Sequence, residues 1–401
     1  MATAEKAQLP EAVLFDQDFA AKFLENNTRP GFTAISGFDS IRTRDGRTVE
    51  EVKADMYTDL KTFGQLEQRV KDQFRDPTGS GQRGYTPNQQ EQSGERPEHR
   101  EHIMIAQDVP KGHPITKYRP MFYRANVPIT VIPTFDTNAQ EFLSVLRPIR
   151  RRMFEDLAIH LGKWWGEFAA PLEDAEEFTR LHIYPSGDIV PGSARKLDHV
   201  RAIGGERVDG VDVVDLIYTN PHTGEKRILK GAMRAGPHPD VGFYTLLVGA
   251  EEPGLYLKDT EEGALAFTTA RDKIVGNAAD DAAVLIPGAN SAIHWVGLTE
   301  QTVQRPRYSI AAFIHRRPKT EVAGEFAGAR LYRRLREIGY DIPSGLEAEV
   351  GKMQPEDSQL IGQILTFSRN QPKELKSGLE RYYHLTNPKT QSYEKIMERV
   401  A

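Results

Sequence analysis

The sequence predicts a mainly β protein with flanking helices, its core a jelly roll (double-stranded β-helix), and three observations carry this. From about Phe178 the apolar period changes from helical spacing to short strand-like runs. Gly, Pro, Asn and Asp separate those runs, as in Asn220-Pro-His-Thr-Gly-Glu225. The strands do not alternate with helices, so an antiparallel sandwich or jelly roll is expected rather than a parallel α/β sheet.

In chain order, Phe19, Phe23 and Leu24 share one helical face within residues 16–27, and Pro30 to Ile35 reads as a short strand. Val49, Val52, Met56, Leu60 and Phe63 define a long amphipathic helix that extends towards Phe74. Residues 76–100 lack periodicity and read as a surface loop, with Arg83 and Tyr85 as candidates for the wall of a site. A second long helix fits about 138–165, with Phe142, Leu146, Ile149, Met153 and Leu157 on its buried face. Strands are expected at 179–184, 213–218, 227–230, 243–248, 254–257, 283–286 and 309–314. Leu331, Leu335 and Ile338, then Leu360, Ile361, Ile364 and Leu365, are spaced for closing helices. The resulting plan is an α/β leading region at 1–137, a scaffold helix at 138–177, a jelly-roll core at 178–318 and C-terminal helices at 319–401.

Composition narrows the function. The 401 residues allow a sizeable core, and 39% of them are hydrophobic. A formal charge of -5 lacks the basic excess that nucleic acid or an anionic membrane would require. No run approaches the ~18–20 apolar residues of a membrane span. Met1 to Gln8 does not show the charged-then-apolar pattern of a signal peptide, so a soluble cytoplasmic protein is expected. With no cysteine, a metal site must be built from His and carboxylate.

The chemistry centres on Arg234-Ala-Gly-Pro-His238-Pro-Asp240, which precedes the apolar run Val241 to Val248. Side-chain direction alternates along a strand, so His238 and Asp240 share one side of the chain. A third imidazole follows in Ser291-Ala-Ile-His294-Trp-Val296, and Arg307-Tyr-Ser309 heads the last strand. Two His and one carboxylate with open positions is the ligand set of non-haem Fe(II) sites. A jelly roll would bring His238 and Asp240 from one strand end against His294 from a neighbouring strand in the opposite sheet, with His315 as a substitute third imidazole.

Here the sequence resembles the isopenicillin N synthase-like Fe(II)/2-oxoglutarate-dependent oxygenases over roughly residues 10–318. The matching pieces are Leu181-His-Ile-Tyr184-Pro185, His238-Pro-Asp240, Thr245-Leu-Leu, Gly254-Leu, His294-Trp-Val and Arg307-Tyr-Ser309, with Pro30-Gly-Phe-Thr-Ala-Ile and Arg83-Gly-Tyr-Thr-Pro in the N-terminal half. Residues 192–212 stand out as an insertion. The resemblance implies Fe(II) on His238, Asp240 and His294, O2 at a remaining position, and 2-oxoglutarate reaching Arg307, Ser309 and Tyr184 with its far carboxylate. The implied reaction is hydroxylation of a small-molecule C–H bond with release of succinate and CO2. Three other readings stay open: an oxidase that does not use 2-oxoglutarate, a non-catalytic jelly-roll binding protein, and a zinc hydrolase on the same ligands. Substrate identity and oligomeric state are not encoded in these motifs.

Overall fold

Local signals start the helices where the periodicity lies. In the computed structural model the first elements are β1 (Glu11–Val13), α1 (Phe19–Thr28), β2 (Phe32–Ser36) and α2 (Val49–Gly64). Thr48 caps α2 reciprocally: its hydroxyl accepts from the Glu51 N–H at 3.0 Å, and the Glu51 carboxylate accepts from the Thr48 N–H at 2.7 Å. Then follow α3 (Gln68–Lys71), β3 (Gly84–Thr86), β4 (Gln92–Ser93), β5 (Arg96–Pro97), β6 (Glu101–Ala106) and α4 (Phe135–His160). Helix α4 ends where Gly162 turns to φ 60° and the Lys163 N–H reaches back to the Ala158 carbonyl.

The remaining elements are mostly strands: β7 (Glu177–Tyr184), β8 (Val200–Val208), β9 (Val211–Thr219), β10 (Lys226–Ala232), β11 (Ala235–His238), β12 (Tyr244–Val248), β13 (Leu255–Asp259), β14 (Gly263–Phe267) and β15 (Ile274–Ala278). The short helix α5 (Asp280–Leu285) precedes β16 (His294–Val296), β17 (Arg307–Ile314) and the small pair β18 (Glu321–Val322) and β19 (Glu325–Phe326). The structure describes residues 9–76, 83–87, 92–93, 96–97, 100–106, 125–163, 168, 177–185, 200–208, 211–219, 226–232, 234–240, 242–250, 254–259, 263–267, 273–297, 306–316, 321–322 and 325–326.

Two sheets position the site. The larger has eight strands in the order β1-β2-β15-β12-β17-β7-β6-β3, antiparallel except for the β1–β2 pair. The smaller has the order β11-β16-β13-β14. From β11 onward the chain passes from small sheet to large (β12), back for β13 and β14, then to large (β15), small (β16) and large (β17).

Strands β2, β7, β12 and β15 of the large sheet divide their residues between two cores. Tyr244, Leu246 and Val248 of β12 and Tyr308, Ile310, Ala312 and Ile314 of β17 join the core that also holds Phe23, Val52, Met56, Leu60 and Phe142 of the helices. A second cluster unites Phe32, Tyr184 and Val275 of the large sheet with Ala235, Leu255, Leu257 and Val296 of the small one. The small sheet therefore faces the inner side of the large sheet. By alternation, Arg307, Ser309, Thr245 and Asn277 point to that inner side.

Several sequence expectations change. Residues 283–286 fall mostly in helix α5 rather than a strand; a four-residue apolar run cannot separate the two, and Asp280 and Asp281 occupy the first helical turn. The strand of this region is β15, just upstream. Helix α2 stops at Gly64, where a Cβ would stand 3.1 Å from the Tyr308 ring, so glycine permits the close approach that ends the long helix. Part of the expected surface loop at 76–100 is the edge strand β3, with Arg83 and Tyr85 both buried. Of the expected insertion at 192–212, residues 200–208 form β8, which joins β9 and β10 in a separate three-stranded antiparallel sheet over Val200–Ala232. The expected C-terminal helices at 331–338 and 360–365 lie outside the described residues.

Candidate metal centre

The site is built on one edge of the small sheet. Strands β11 and β16 pair antiparallel with His238 directly opposite His294, and a register irregularity lies between Ala235 and His238. Asp240 follows two residues after His238. All three side chains thus come from neighbouring strands of the same sheet, not from opposite sheets as the sequence suggested. Strands β11 and β16, the first and sixth of the run from β11 to β17, are neighbours as the sequence reading expected, but they lie in one sheet rather than two.

The ligand atoms of His238, Asp240 and His294 lie within 4.8 Å of one another. Asp240 Oδ1 is 4.0 Å from His238 Nε2 and 3.7 Å from His294 Nε2, and the two imidazole centroids are 4.6 Å apart. Asp240 is 5% exposed; its other oxygen, Oδ2, accepts a hydrogen bond from Asn277 Nδ2 at 2.7 Å. That bond from β15 turns Oδ1 towards the imidazoles. Burial pushes the Asp240 carboxyl up, but His294, His238 and donors on Asn277 and Thr245 outweigh it and hold it below its ordinary value.

His294 is oriented from both sides. Its Nδ1 lies 3.1 Å from the Ala292 carbonyl; donation there keeps the proton on Nδ1 and leaves the Nε2 lone pair towards Asp240. Phe32 packs edge-on against the ring at 5.3 Å. The His238 side chain is 39% exposed, so the cluster opens to one side. A nitrogen, nitrogen, oxygen set with fixed tautomer, one oriented carboxylate oxygen and an open side fits an Fe(II) ion. Among the described residues no other group of three His or carboxylate side chains has this geometry. His315 is not in it: it packs on Phe178 at 5.9 Å, and burial pushes its pKa down to about 4.

The second part of the site is cationic. Arg307 and Tyr184 are direct cross-strand partners, as are Ser309 and His182. The Arg307 side chain is buried, donates to Ser309 Oγ at 3.1 Å and places its guanidinium carbon 5.1 Å from the Tyr184 ring centroid. Arg234, also buried, sits 5.8 Å from the same ring and gives its backbone N–H to the Val296 carbonyl. The two parts are joined through β13: Leu257 is the partner of His294, and Gly254, three residues earlier, lies against the Arg307 chain. At ~3.3 Å per strand residue that is about 10 Å. Tyr85, suggested as a site wall, instead points to the helix side, where it bonds Glu101. Asn277 and Phe32 were missed by motif reading, although an Asn inside the apolar run Ile274-Val-Gly-Asn-Ala278 is itself a signal of a buried polar task.

The same fold occurs in known proteins. A protein from Caulobacter crescentus assigned to the 2OG-Fe(II) oxygenase family matches 83% of this chain and 100% of its own, with TM-score 0.61 and 22% identity. A full-length Neurospora crassa protein, solved in complex with alpha-KG and 5-formyluracil, matches 79% of this chain and 87% of its own, with TM-score 0.54 and 18% identity. JOX2, in complex with 2OG, Fe and JA, matches 80% of this chain and 78% of its own, with TM-score 0.54 and 16% identity. No protein-family profile and no curated protein sequence matches the chain. At these identities the likeness establishes the fold: this chain has the fold of the 2OG-Fe(II) oxygenase proteins. Among the described residues no helix is long and apolar enough to cross a membrane.

Proposed function

We propose that the protein is an Fe(II)- and 2-oxoglutarate-dependent dioxygenase that hydroxylates an unactivated C–H bond of a small molecule. The observation that carries this reading is the convergence of His238, Asp240 and His294 with Asp240 oriented by Asn277 and His294 by the Ala292 carbonyl. The passage of successive strands between two facing sheets supports the jelly-roll description of the core. Neighbours of this fold hold 5-formyluracil or JA in their solved complexes, which supports a small-molecule substrate here.

The chain's own residues divide the work. His238, Asp240 and His294 would hold iron; when bound, it would supply oxygen activation coupled to oxidative decarboxylation of 2-oxoglutarate, so that substrate, O2 and 2-oxoglutarate give hydroxylated product, succinate and CO2. Arg307 offers the far carboxylate of the cosubstrate a planar, permanently charged fork. Ser309 holds that fork in place, and Tyr184 covers it. The ~10 Å of strand between the His294 level and Arg307 suits a five-carbon dicarboxylate that has one end at the metal and the other at a guanidinium. The carboxylate at Asp240 also occupies the position a halide would need, which favours hydroxylation over halogenation.

Succinate release tests the reading. Iron-loaded protein supplied with 2-oxoglutarate and O2 is expected to form succinate, faster with a true substrate, and His294→Ala is expected to abolish both iron retention and succinate formation. Oxygen consumption independent of 2-oxoglutarate would instead support the oxidase reading.

A further inference from the structure

One buried hydroxyl beside the metal centre is not accounted for by packing. Thr245 is 4% exposed and lies on the inner face of β12, directly opposite Asn277 of β15 on one side and Phe313 of β17 on the other. Its Oγ1 is buried and has no hydrogen-bond partner of ordinary length and angle among the described residues. A buried donor left open costs stability. Valine would fill nearly the same space in the apolar strand Tyr244-Thr-Leu-Leu-Val248 without that cost, so packing gives no reason for a hydroxyl here.

Asp240 supplies a matching acceptor. Its carbonyl accepts from the Asp280 N–H at 3.1 Å, and the Phe243 N–H three residues on bonds the Ile314 carbonyl at 2.9 Å, so the backbone that carries the carboxylate is fixed. Rotation of the carboxylate plane is the remaining freedom, and that torsion is broad in aspartate. Asn277 gives Oδ2 one donor at 2.7 Å, whereas a carboxylate oxygen has room for two. Paired residues on one face have Cβ atoms roughly 4.5–5.5 Å apart, so Thr245 stands next to the residue that already holds Oδ2. Thr245 is also near enough to lower the pKa of the Asp240 carboxyl, behind burial, which raises it, and behind His294, His238 and Asn277, which lower it more.

We propose that Thr245 is a positioning residue for Asp240: with Oδ1 engaged by a metal ion, the Thr245 hydroxyl donates to the second acceptor position of Oδ2, so that Asn277 and Thr245 together keep the carboxylate a one-oxygen ligand. The consequence is that Oδ2 stays off the metal and the positions needed by other ligands stay open. The inference rests on the metal reading given above and extends it to a residue outside the three ligands. It separates two tasks of the side chain: filling the strand, which valine could perform, and donation, which needs the hydroxyl.

The test reads metal binding and stability rather than turnover, on full-length wild type, Thr245→Val and Thr245→Ser. Fe(II) affinity is measured anaerobically by competition with a chelator, and the coordination of Co(II) in the same site by its visible absorption. Thr245→Val is expected to weaken Fe(II) binding about tenfold, the lower end of what losing an outer partner of a ligand costs. Its Co(II) bands are expected to lose intensity as the second carboxylate oxygen joins the metal and the coordination number rises. Thr245→Ser keeps the donor and is expected to stay within about threefold of the wild type, with an unchanged spectrum. Metal-free Thr245→Val is expected to unfold at or above the wild-type temperature, because an unsatisfied buried donor has been removed. Wild-type Fe(II) affinity in Thr245→Val, equal weakening in both variants, or a lower unfolding temperature of metal-free Thr245→Val would overturn the role of Thr245. Failure of the wild type to bind either metal would overturn the metal reading itself.

Discussion

The two faces of the eight-stranded sheet are made by alternate residues of the same strands, yet they carry different chemistry. On the helix side, acid meets base within the chain. Lys71 and Glu101, both 0% exposed, pair at 2.7 Å with the Tyr85 hydroxyl also on the carboxylate, and Arg150 pairs with Glu177 at 2.5 Å. On the inner side, Arg307 bonds a hydroxyl and covers a phenol, and the Asp240 carboxylate faces two imidazoles. In β6, adjacent residues serve the two faces: Glu101 turns to the helices and His102 to the interior. The acid–base pairs of the helix side fix the fold, whereas the converging lone pairs of His238, Asp240 and His294 in the interior are suited to something that binds.

Four outcomes would sharpen or break this contrast, beginning with the largest effect. Replacing a proposed metal ligand, as in Asp240→Ala, is expected to reduce bound iron, measured by elemental analysis, from one equivalent to near zero while the protein remains folded. Full iron retention in that variant would remove the inner face from the comparison. Glu101→Gln acts on the other face. It leaves the Lys71 ammonium buried without its counter-charge, and breaking such a pair costs about 3–5 kcal/mol in urea unfolding. Affinity for iron and 2-oxoglutarate is expected to be unchanged, because the pair lies on the helix side.

Asn277→Ala is a milder probe of the interior. Loss of the outer donor to a metal-binding carboxylate typically lowers metal affinity about 10- to 100-fold, and competition with a chelator would measure it. The smallest effect concerns pH. The His315 pKa is pushed from 6.5 to about 4 by burial, so the native state resists protonation that the unfolded chain accepts. Its contribution to stability is complete above pH 6.5 and is lost progressively as pH falls towards 4. His315→Gln is expected to flatten the pH dependence of unfolding in that window relative to the wild type.

How much of this was legible in the sequence depended on whether a feature is local. The strands β7, β12 and β17 and the helices α1, α2 and α4 follow from periodicity, because each buries a continuous stripe that propensity and pattern both mark. His238, Asp240, His294, Arg307 and Ser309 were visible as an ordered set. Neighbouring strands were expected for them, but a single sheet was not, because β11 and β16 are far apart in the chain and only four and three residues long. Asn277 was hidden for a related reason: it is one polar residue in an apolar strand, and its task depends on which cross-strand neighbour it meets. Arg83 and Tyr85 show the converse error. Polar, Gly-rich surroundings read as a loop, but a three-residue edge strand needs little apolar sequence when the sheet supplies the register.

The central claim is that one pocket joins a three-ligand metal centre to a guanidinium anchor for a dicarboxylate. The most direct measurement is an anaerobic titration of metal-free protein with Fe(II) and then 2-oxoglutarate, followed by visible absorption, with Arg307→Ala alongside. A charge-transfer band that forms only after 2-oxoglutarate is added, and that requires roughly 100-fold more of it in Arg307→Ala, is the expected result, since a bidentate charged contact contributes on the order of 3 kcal/mol. Iron binding without the band, or an identical titration in the variant, would contradict the account.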